Sequence, residues 1–371
     1  MMPKIFFLFC VLAGTVLGAS ELELVSHFGG GRVYLRRGSD WYAGATVWSL
    51  KRDPGLAHLK QIQVGADLCA WTNENEVRCW DSQVHPSAVG KGRSLGAVPE
   101  LTKHFHGYCL ETKAAEIFCL QSFIDGNELK YRYEKVDTKA LGTIAAVSAS
   151  ATHICVQNAR GKIFCWGENY GGKLGTGGYP FFQRPEEGGD WSVTYATAGI
   201  PFPTREIESY GKTFAGVSVY ANTSCALSDE LKNNVYCWGR LLDTSNLYME
   251  FQLFSQTTSS IPRGVDLSAV PAGRVDGIVA GPLVGFGHDE VGRIYFWGEY
   301  GTPPATSQRL AFKAQAMAEV PAGFSIRKLV PVQGEVCAIG AFEGQAEQMY
   351  CTRRPWDNPA GRPEMVGVTL P

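Results

Sequence analysis

The sequence predicts an all-β protein: a seven-bladed β-propeller with one antiparallel sheet per repeat and disulfides inside the blades. Three observations lead there. Ten of the 11 cysteines fall into five close pairs, and two further segments carry apolar residues where the others carry cysteine. The 43 glycines and 19 prolines are spread along the whole chain, as the turns between many short strands require.

The chain opens with a candidate address. Lys4 precedes an apolar run over residues 5–17, and the small residues Gly18, Ala19 and Ser20 follow. A positive start, a short apolar stretch and small residues make a signal peptide, so residues 1–19 read as a leader with cleavage after Gly18 or Ala19. The run is short for a bilayer span, and Glu21 and Glu23 follow at once. No second apolar stretch of spanning length occurs, and residues 366–371 lack a lipid-anchor tail. Residues 20–371 are therefore expected to form one soluble domain in the secretory lumen or outside the cell. Lys and Arg number 34 against 36 Asp and Glu, with no long basic run, which argues against a nucleic-acid scaffold.

Cys10 lies in the leader. The other ten pair by spacing as Cys69 with Cys79, Cys109 with Cys119, Cys155 with Cys165, Cys225 with Cys237, and Cys337 with Cys351. An even number in an oxidising compartment implies disulfides. The segments align around those pairs, with cores near residues 25–49, 61–80, 101–120, 147–177, 217–239, 278–298 and 329–352. Two copies lack cysteine. The sixth has Phe286 and Phe296 in its place, ten positions apart like the first three cysteine pairs, and the first places Val33 and Val47 there. Both sites change together, as a cross-strand contact requires. Seven copies over the mature chain give about 50 residues each, a usual blade length.

Each copy reads as an antiparallel hairpin. The strand before the second cysteine carries β-formers such as Ile163-Phe164, Val235-Tyr236 and Ile294-Tyr295, and turn residues such as Arg160-Gly161 and Asn233-Asn234 separate the strands. Facing residues of such a pair lie at disulfide range. Closing a loop of about ten residues stabilises by roughly 2–3 kcal/mol where native strain is small. One hairpin cannot bury its own apolar face, whereas seven packed radially can.

The stretch Val147–Cys155, followed by Gly161–Gly167, Glu168, Asn169 and the run Gly171-Gly172-Lys173-Leu174-Gly175-Thr176-Gly177, resembles a repeat of the regulator of chromosome condensation family. Residues 217–239 and 278–298 share the pattern, and the other copies follow it loosely. The resemblance implies seven blades of four strands. Cysteine pairs inside the repeats look like those of secreted and receptor-ectodomain members such as the crinkly-type plant receptor kinases. The family's nucleotide exchange on a nuclear GTPase is not carried over, because the leader directs the chain to another compartment and no basic chromatin-binding tail is present.

Local chemistry is sparse. Gly167, Gly171, Gly172, Gly175, Gly239 and Gly298 lack the Lys-Ser/Thr sequel of a phosphate loop and read as tight turns. His104 and His106 share one strand face without a clear third ligand, so no metal is expected. His153 stands where the family often has His and reads as a packing and hydrogen-bonding residue. Glu186-Glu187 and Asp289-Glu290 read as solvated turn charges. No nucleophile-elbow or His-Glu-x-x-His motif occurs, so no catalytic residue is assigned and no cofactor is expected. Asn222-Thr223-Ser224 is the one Asn-x-Ser/Thr sequon and a candidate glycosylation site.

Two insertions exceed what joining blades needs. Residues 178–210 carry Tyr179, Phe181, Phe182, Trp191 and Tyr195, together with Phe202 and Tyr210. Residues 241–254 carry Leu242, Leu247, Tyr248, Phe251 and Phe254. Long loops with aromatic anchors on a rigid scaffold suit binding, and Tyr179, Phe181, Phe182, Trp191 and Tyr195 are the expected partner contacts; the alternative is that the insertions pack back onto the propeller or form its outer strands. The expectation is a secreted non-enzymatic scaffold presenting blade loops to an extracellular or lumenal protein. The alternatives are a hydrolase or lyase with its site in the central channel, and a surface-coat component.

Overall fold

A computed structural model describes residues 22–27, 32–64, 68–80, 92–99, 102–106, 109–125, 128–150, 153–167, 169, 172–177, 205–207, 209–220, 222–241, 258–281, 283–298, 312–332, 335–353 and 363–369. The leader reading of residues 1–19 lies outside them. No helix among the described residues is long and apolar enough to cross a membrane.

Among the described residues, twenty-eight strands form seven antiparallel four-stranded sheets. Blade 1 holds β1 (Leu22–His27), β2 (Arg32–Arg37), β3 (Asp40–Gly44) and β4 (Lys51–Arg52), and blade 2 holds β5 (Leu59–Val64), β6 (Leu68–Thr72), β7 (Glu76–Trp80) and β8 (Arg93–Ala97). Blade 3 holds β9 (Thr102–His106), β10 (Cys109–Thr112), β11 (Ile117–Asp125) and β12 (Glu128–Lys135), and blade 4 holds β13 (Ile144–Ala149), β14 (His153–Asn158), β15 (Ile163–Gly167) and β16 (Arg205–Glu206). Blade 5 holds β17 (Phe214–Tyr220), β18 (Thr223–Ser228), β19 (Val235–Arg240) and β20 (Thr258–Gly264). Blade 6 holds β21 (Gly277–Gly281), β22 (Val284–His288), β23 (Arg293–Gly298) and β24 (Gln315–Glu319). Blade 7 holds β25 (Phe324–Val332), β26 (Glu335–Phe342), β27 (Gln348–Arg353) and β28 (Glu364–Gly367). First strands of neighbouring blades pack side by side, and β1 closes on β25. The sequence expectation of a seven-bladed propeller holds.

The cysteines pair as the spacing predicts, each pair bridging the second and third strands of one blade at Cα separations of 4.0–4.2 Å. All ten are buried. They also build the joins between blades. The apolar core is a set of clusters, one at each join, and every disulfide looks forward into the next blade. Trp166 of blade 4 shares a cluster with Cys109–Cys119 of blade 3, and Trp238 of blade 5 with Cys155–Cys165 of blade 4. Trp297 of blade 6 donates its indole N–H to Cys237 Sγ at 3.0 Å. Leu110 and Leu120 of blade 3 cover Cys69–Cys79.

In blade 6, Phe286 faces Phe296 across the same rung, as expected. Blade 1 departs from expectation. Val33 faces Gly44, and Val47 lies outside the sheet in a 3-10 turn (Val47–Ser49). Both pack toward blade 7, so the cysteine position of blade 1 is taken by Tyr34 facing Ala43, which look toward blade 2. Side chains alternate faces along a strand, so a one-residue shift in alignment moves a residue to the opposite join. Gly44 permits the turn, because a Cβ there would stand 2.7 Å from the Ser49 carbonyl oxygen.

Each blade is one contiguous segment, so the ring closes without strand exchange. Leu22 and Leu24 of blade 1 bury against Val330, Val332 and the Cys337–Cys351 bridge of blade 7. The Leu22 amide donates to Glu347 Oε2 at 2.8 Å, Arg327 donates to the Leu22 carbonyl at 3.3 Å, and Arg327 and Glu347 form an ion pair.

Candidate binding face

Chain direction sorts the connections. Links from second to third strand, and from each fourth strand to the next blade, lie on one face and run to twelve residues at most, in segment 265–276. Links from first to second and from third to fourth strand lie on the other. That second face, here the loop face, carries the strand ends joined by segments 81–92, 168–204, 241–257, 299–314 and 354–363. Tyr179, Phe181, Phe182, Trp191 and Tyr195, like Leu242, Leu247, Tyr248, Phe251 and Phe254, lie outside the described residues. Their segments leave from β15 and β19, which end on the loop face. Tyr210, in contrast, is described and stands exposed on the opposite face, in the link to β17.

The root of the first insertion is firmly built. Asn169 Oδ1 accepts from the Leu174 amide at 3.1 Å, and the Gly177 amide donates to the Ser260 carbonyl at 2.9 Å. Gly175 has φ +69°, and a Cβ there would meet the Trp238 indole at 2.8 Å. The Lys173 carbonyl accepts from Trp238 Nε1 at 2.8 Å and from Ser224 Oγ at 2.9 Å. These glycines serve close approach between blades 4 and 5.

His153, buried on β14, links the same join. Its Nε2 lies 2.8 Å from Ser224 Oγ and its Nδ1 2.9 Å from Ser150 Oγ. Burial, aided by the Lys173 ammonium, holds its pKa well below the usual histidine range. Asn222 is half-buried, and its side-chain oxygen accepts from Lys173 Nζ at 3.3 Å, while Thr223 and Ser224 of the sequon are fully buried. His104 and His106 sit on β9, where His104 is exposed. No cluster of three metal-ligating side chains occurs among the described residues.

Two features escape sequence reasoning. In blade 3, β11 and β12 remain paired as far as Asp125 and Glu128, whereas β10 begins at Cys109 opposite Cys119. The six residues 120–125 therefore extend the hairpin by roughly 20 Å, at about 3.3 Å per residue. In blades 2, 4, 5, 6 and 7 the third strand stops at Trp80, Gly167, Arg240, Gly298 and Arg353, one to three residues past the equivalent rung. This two-stranded arm leans on blade 2, with the Arg93 guanidinium 5.3 Å from the Tyr131 ring. Gly126-Asn127 between the two strands is the turn signal that marks it in sequence. The second feature joins blades 7 and 1 on the loop face. Arg353 lies 5.3 Å from the Trp48 ring centroid, and burial raises the Glu335 pKa against the opposing effects of a Trp48 hydrogen bond and Arg353. No local motif predicts it, because the residues come from three separate strand ends.

No protein-family profile matches the chain, and no curated protein matches it. Solved structures with a similar arrangement include Prp20p from Saccharomyces cerevisiae, with TM-score 0.48 and 14% identity over 86% of this chain and 82% of that one. Prp20p is described together with its binding to Gsp1p and histones. Human WBSCR16 has TM-score 0.46 and 14% identity over 95% and 82% of the two chains. The ectodomain of the Physcomitrella patens receptor kinase CR4 has TM-score 0.43 and 15% identity over 91% and 76%.

Proposed function

We propose that this chain is a secreted, non-enzymatic scaffold whose loop face binds an extracellular or lumenal protein. The observation that supports it is the segregation of connections: the three longest, segments 168–204, 241–257 and 299–314, all join strand ends on one face of the ring. Binding surfaces concentrate on loops held by a stable framework. In this reading Tyr179, Phe181, Phe182, Trp191 and Tyr195 supply aromatic anchors, and the β11–β12 arm of the adjacent blade 3 stands beside them.

The test is cross-linking capture by the purified protein from its native extracellular milieu, with mass-spectrometric identification, beside a variant lacking residues 179–195. One saturable partner lost in the deletion supports the proposal. The same partners with both proteins contradict the placement of the site. Secretion is tested separately: the mature protein from the culture medium should begin at Ala19 or Ser20, and retention of the full-length chain inside cells would oppose it. Asn222 is proposed as a glycan acceptor modified while the chain is still extended, before Ser224 is buried. Glycosidase treatment should lower the intact mass, and an unchanged mass would remove the site.

A further inference from the structure

We propose that the join between blades 4 and 5 is a proton-operated latch, with His153 as the group that must stay neutral for the two blades to lock. The hydrogen bonds define the locked state. Ser224 Oγ gives its proton to the Lys173 carbonyl at 2.9 Å, so toward His153, 2.8 Å away, it can only accept. Nε2 therefore carries the ring proton, and Nδ1 accepts from Ser150 Oγ at 2.9 Å, a hydroxyl that also has the His153 carbonyl within reach at 3.2 Å. The neutral imidazole satisfies both neighbours and ties β14 to β18 across the join.

A second proton has no favourable place there. Ser150 Oγ accepts from a protonated Nδ1 once its own proton turns to the His153 carbonyl, so the cost is the charge itself, set in a site where His153 is 3% exposed and shielded from water. The charged group facing His153 among the described residues is Lys173, of the same sign, contributed by the segment between β15 and the first insertion. The side chains hydrogen-bonded to His153 and Lys173 there are the neutral Ser150, Asn222, Ser224 and Trp238. Acid therefore favours conformations in which His153 reaches water, and that requires β14 and β18 to part. Both insertion segments, 168–204 and 241–257, are rooted beside this join, so the latch couples pH to the geometry of the loop face.

Hydrogen exchange of the native protein at pH 7.5 and pH 5, corrected for the intrinsic pH dependence of exchange, reads the latch directly. Over residues 153–158 and 223–228, protection in the wild type should fall on acidification by up to about 30-fold, the ratio set by an ordinary histidine pKa near 6.5. The His153→Gln variant should show no such fall, and blade 2 should be unaffected in both. Unchanged protection in the wild type, or an equal fall in His153→Gln, would overturn the proposal. Should the variant fail to fold, imidazole NMR of the wild type decides. A His153 ring that titrates near pH 6.5 with both strands still protected refutes the latch, and a ring neutral until they open supports it. These measurements involve no partner, so the latch and the binding proposal fail independently.

Discussion

Trp297 shows what a single residue does in this ring. Its indole N–H points at Cys237 Sγ, so one side chain fills the join and covers a disulfide. Disulfide sulfur in contact with an indole quenches its emission. Replacing Cys225 and Cys237 together by Ala should therefore raise Trp297 fluorescence, and unchanged emission would mean that the contact does not persist in solution. Phe286 is 1% exposed where other blades have cysteine. Phe286→Ala should cost about 3–5 kcal/mol in chemical denaturation, the range for truncating a buried aromatic. The double variant Phe286→Cys, Phe296→Cys should close a further disulfide, read as absence of free thiol. A thiol count of two would contradict the register.

Tyrosines carry the alkaline limit. Burial pushes Tyr220 up to about 12, and burial with the Asp289 carboxylate beside it pushes Tyr295 up to about 12. Both exceed the ordinary value of about 10, so the folded state holds these protons where the unfolded chain releases them. Their contribution to stability is complete below pH 10 and lost as pH rises toward 12. Spectrophotometric titration should show a late tyrosinate fraction that appears with unfolding. Smooth titration of all tyrosines near pH 10 in the folded protein would contradict this.

At the scale of elements, the paired cysteines make the hairpins legible in the sequence. Two residues that must touch fix strand register, and register fixes which side chains face each join. Blade 1 was misread for the same reason. Without cysteines, the apolar residues on both faces of its strands give no phase, and Val33 was aligned one position away from Tyr34. The β11–β12 arm went unread because its pairing lies beyond the last cysteine. The dipeptide Gly126-Asn127 is its remaining signal in the sequence. Gly175, expected from the sequence to be a turn glycine, is pressed against Trp238.

The disulfides are buried, so thiolate attack requires opening of the blade. Reductant under native conditions should act slowly, and full reduction should lower the melting temperature. An unchanged melting temperature after verified reduction would show that the bridges contribute little. Blades 1 and 6 close on Tyr34–Ala43 and Phe286–Phe296 packing alone, so hydrogen exchange should find the easiest local opening there.

Over the whole molecule, the ring depends on side-chain closure between its first and last blades. Arg327, Glu347 and the Leu22 backbone form the clasp over a buried apolar seam. Glu347→Ala leaves the Leu22 amide without that acceptor, so β1 should exchange faster while blades 3–5 keep their protection. Uniform loosening of all blades would argue that the clasp is not local. The same closure holds the strand ends that present the loop face. The site is less legible than the fold, because it is assembled from links of different blades and no single segment contains a motif.

The most direct test of loop-face binding compares two variants against the captured partner. One carries Leu231→Arg and Val291→Arg on the turn face, where both side chains are exposed. The other replaces residues 123–130 by Asn-Gly, preserving the Ser122–Tyr131 rung, and also lacks residues 179–195. With folding of each checked by its melting curve, the first should bind like the wild type and the second should lose the partner. Loss in the first with retention in the second would place binding on the turn face and contradict the account.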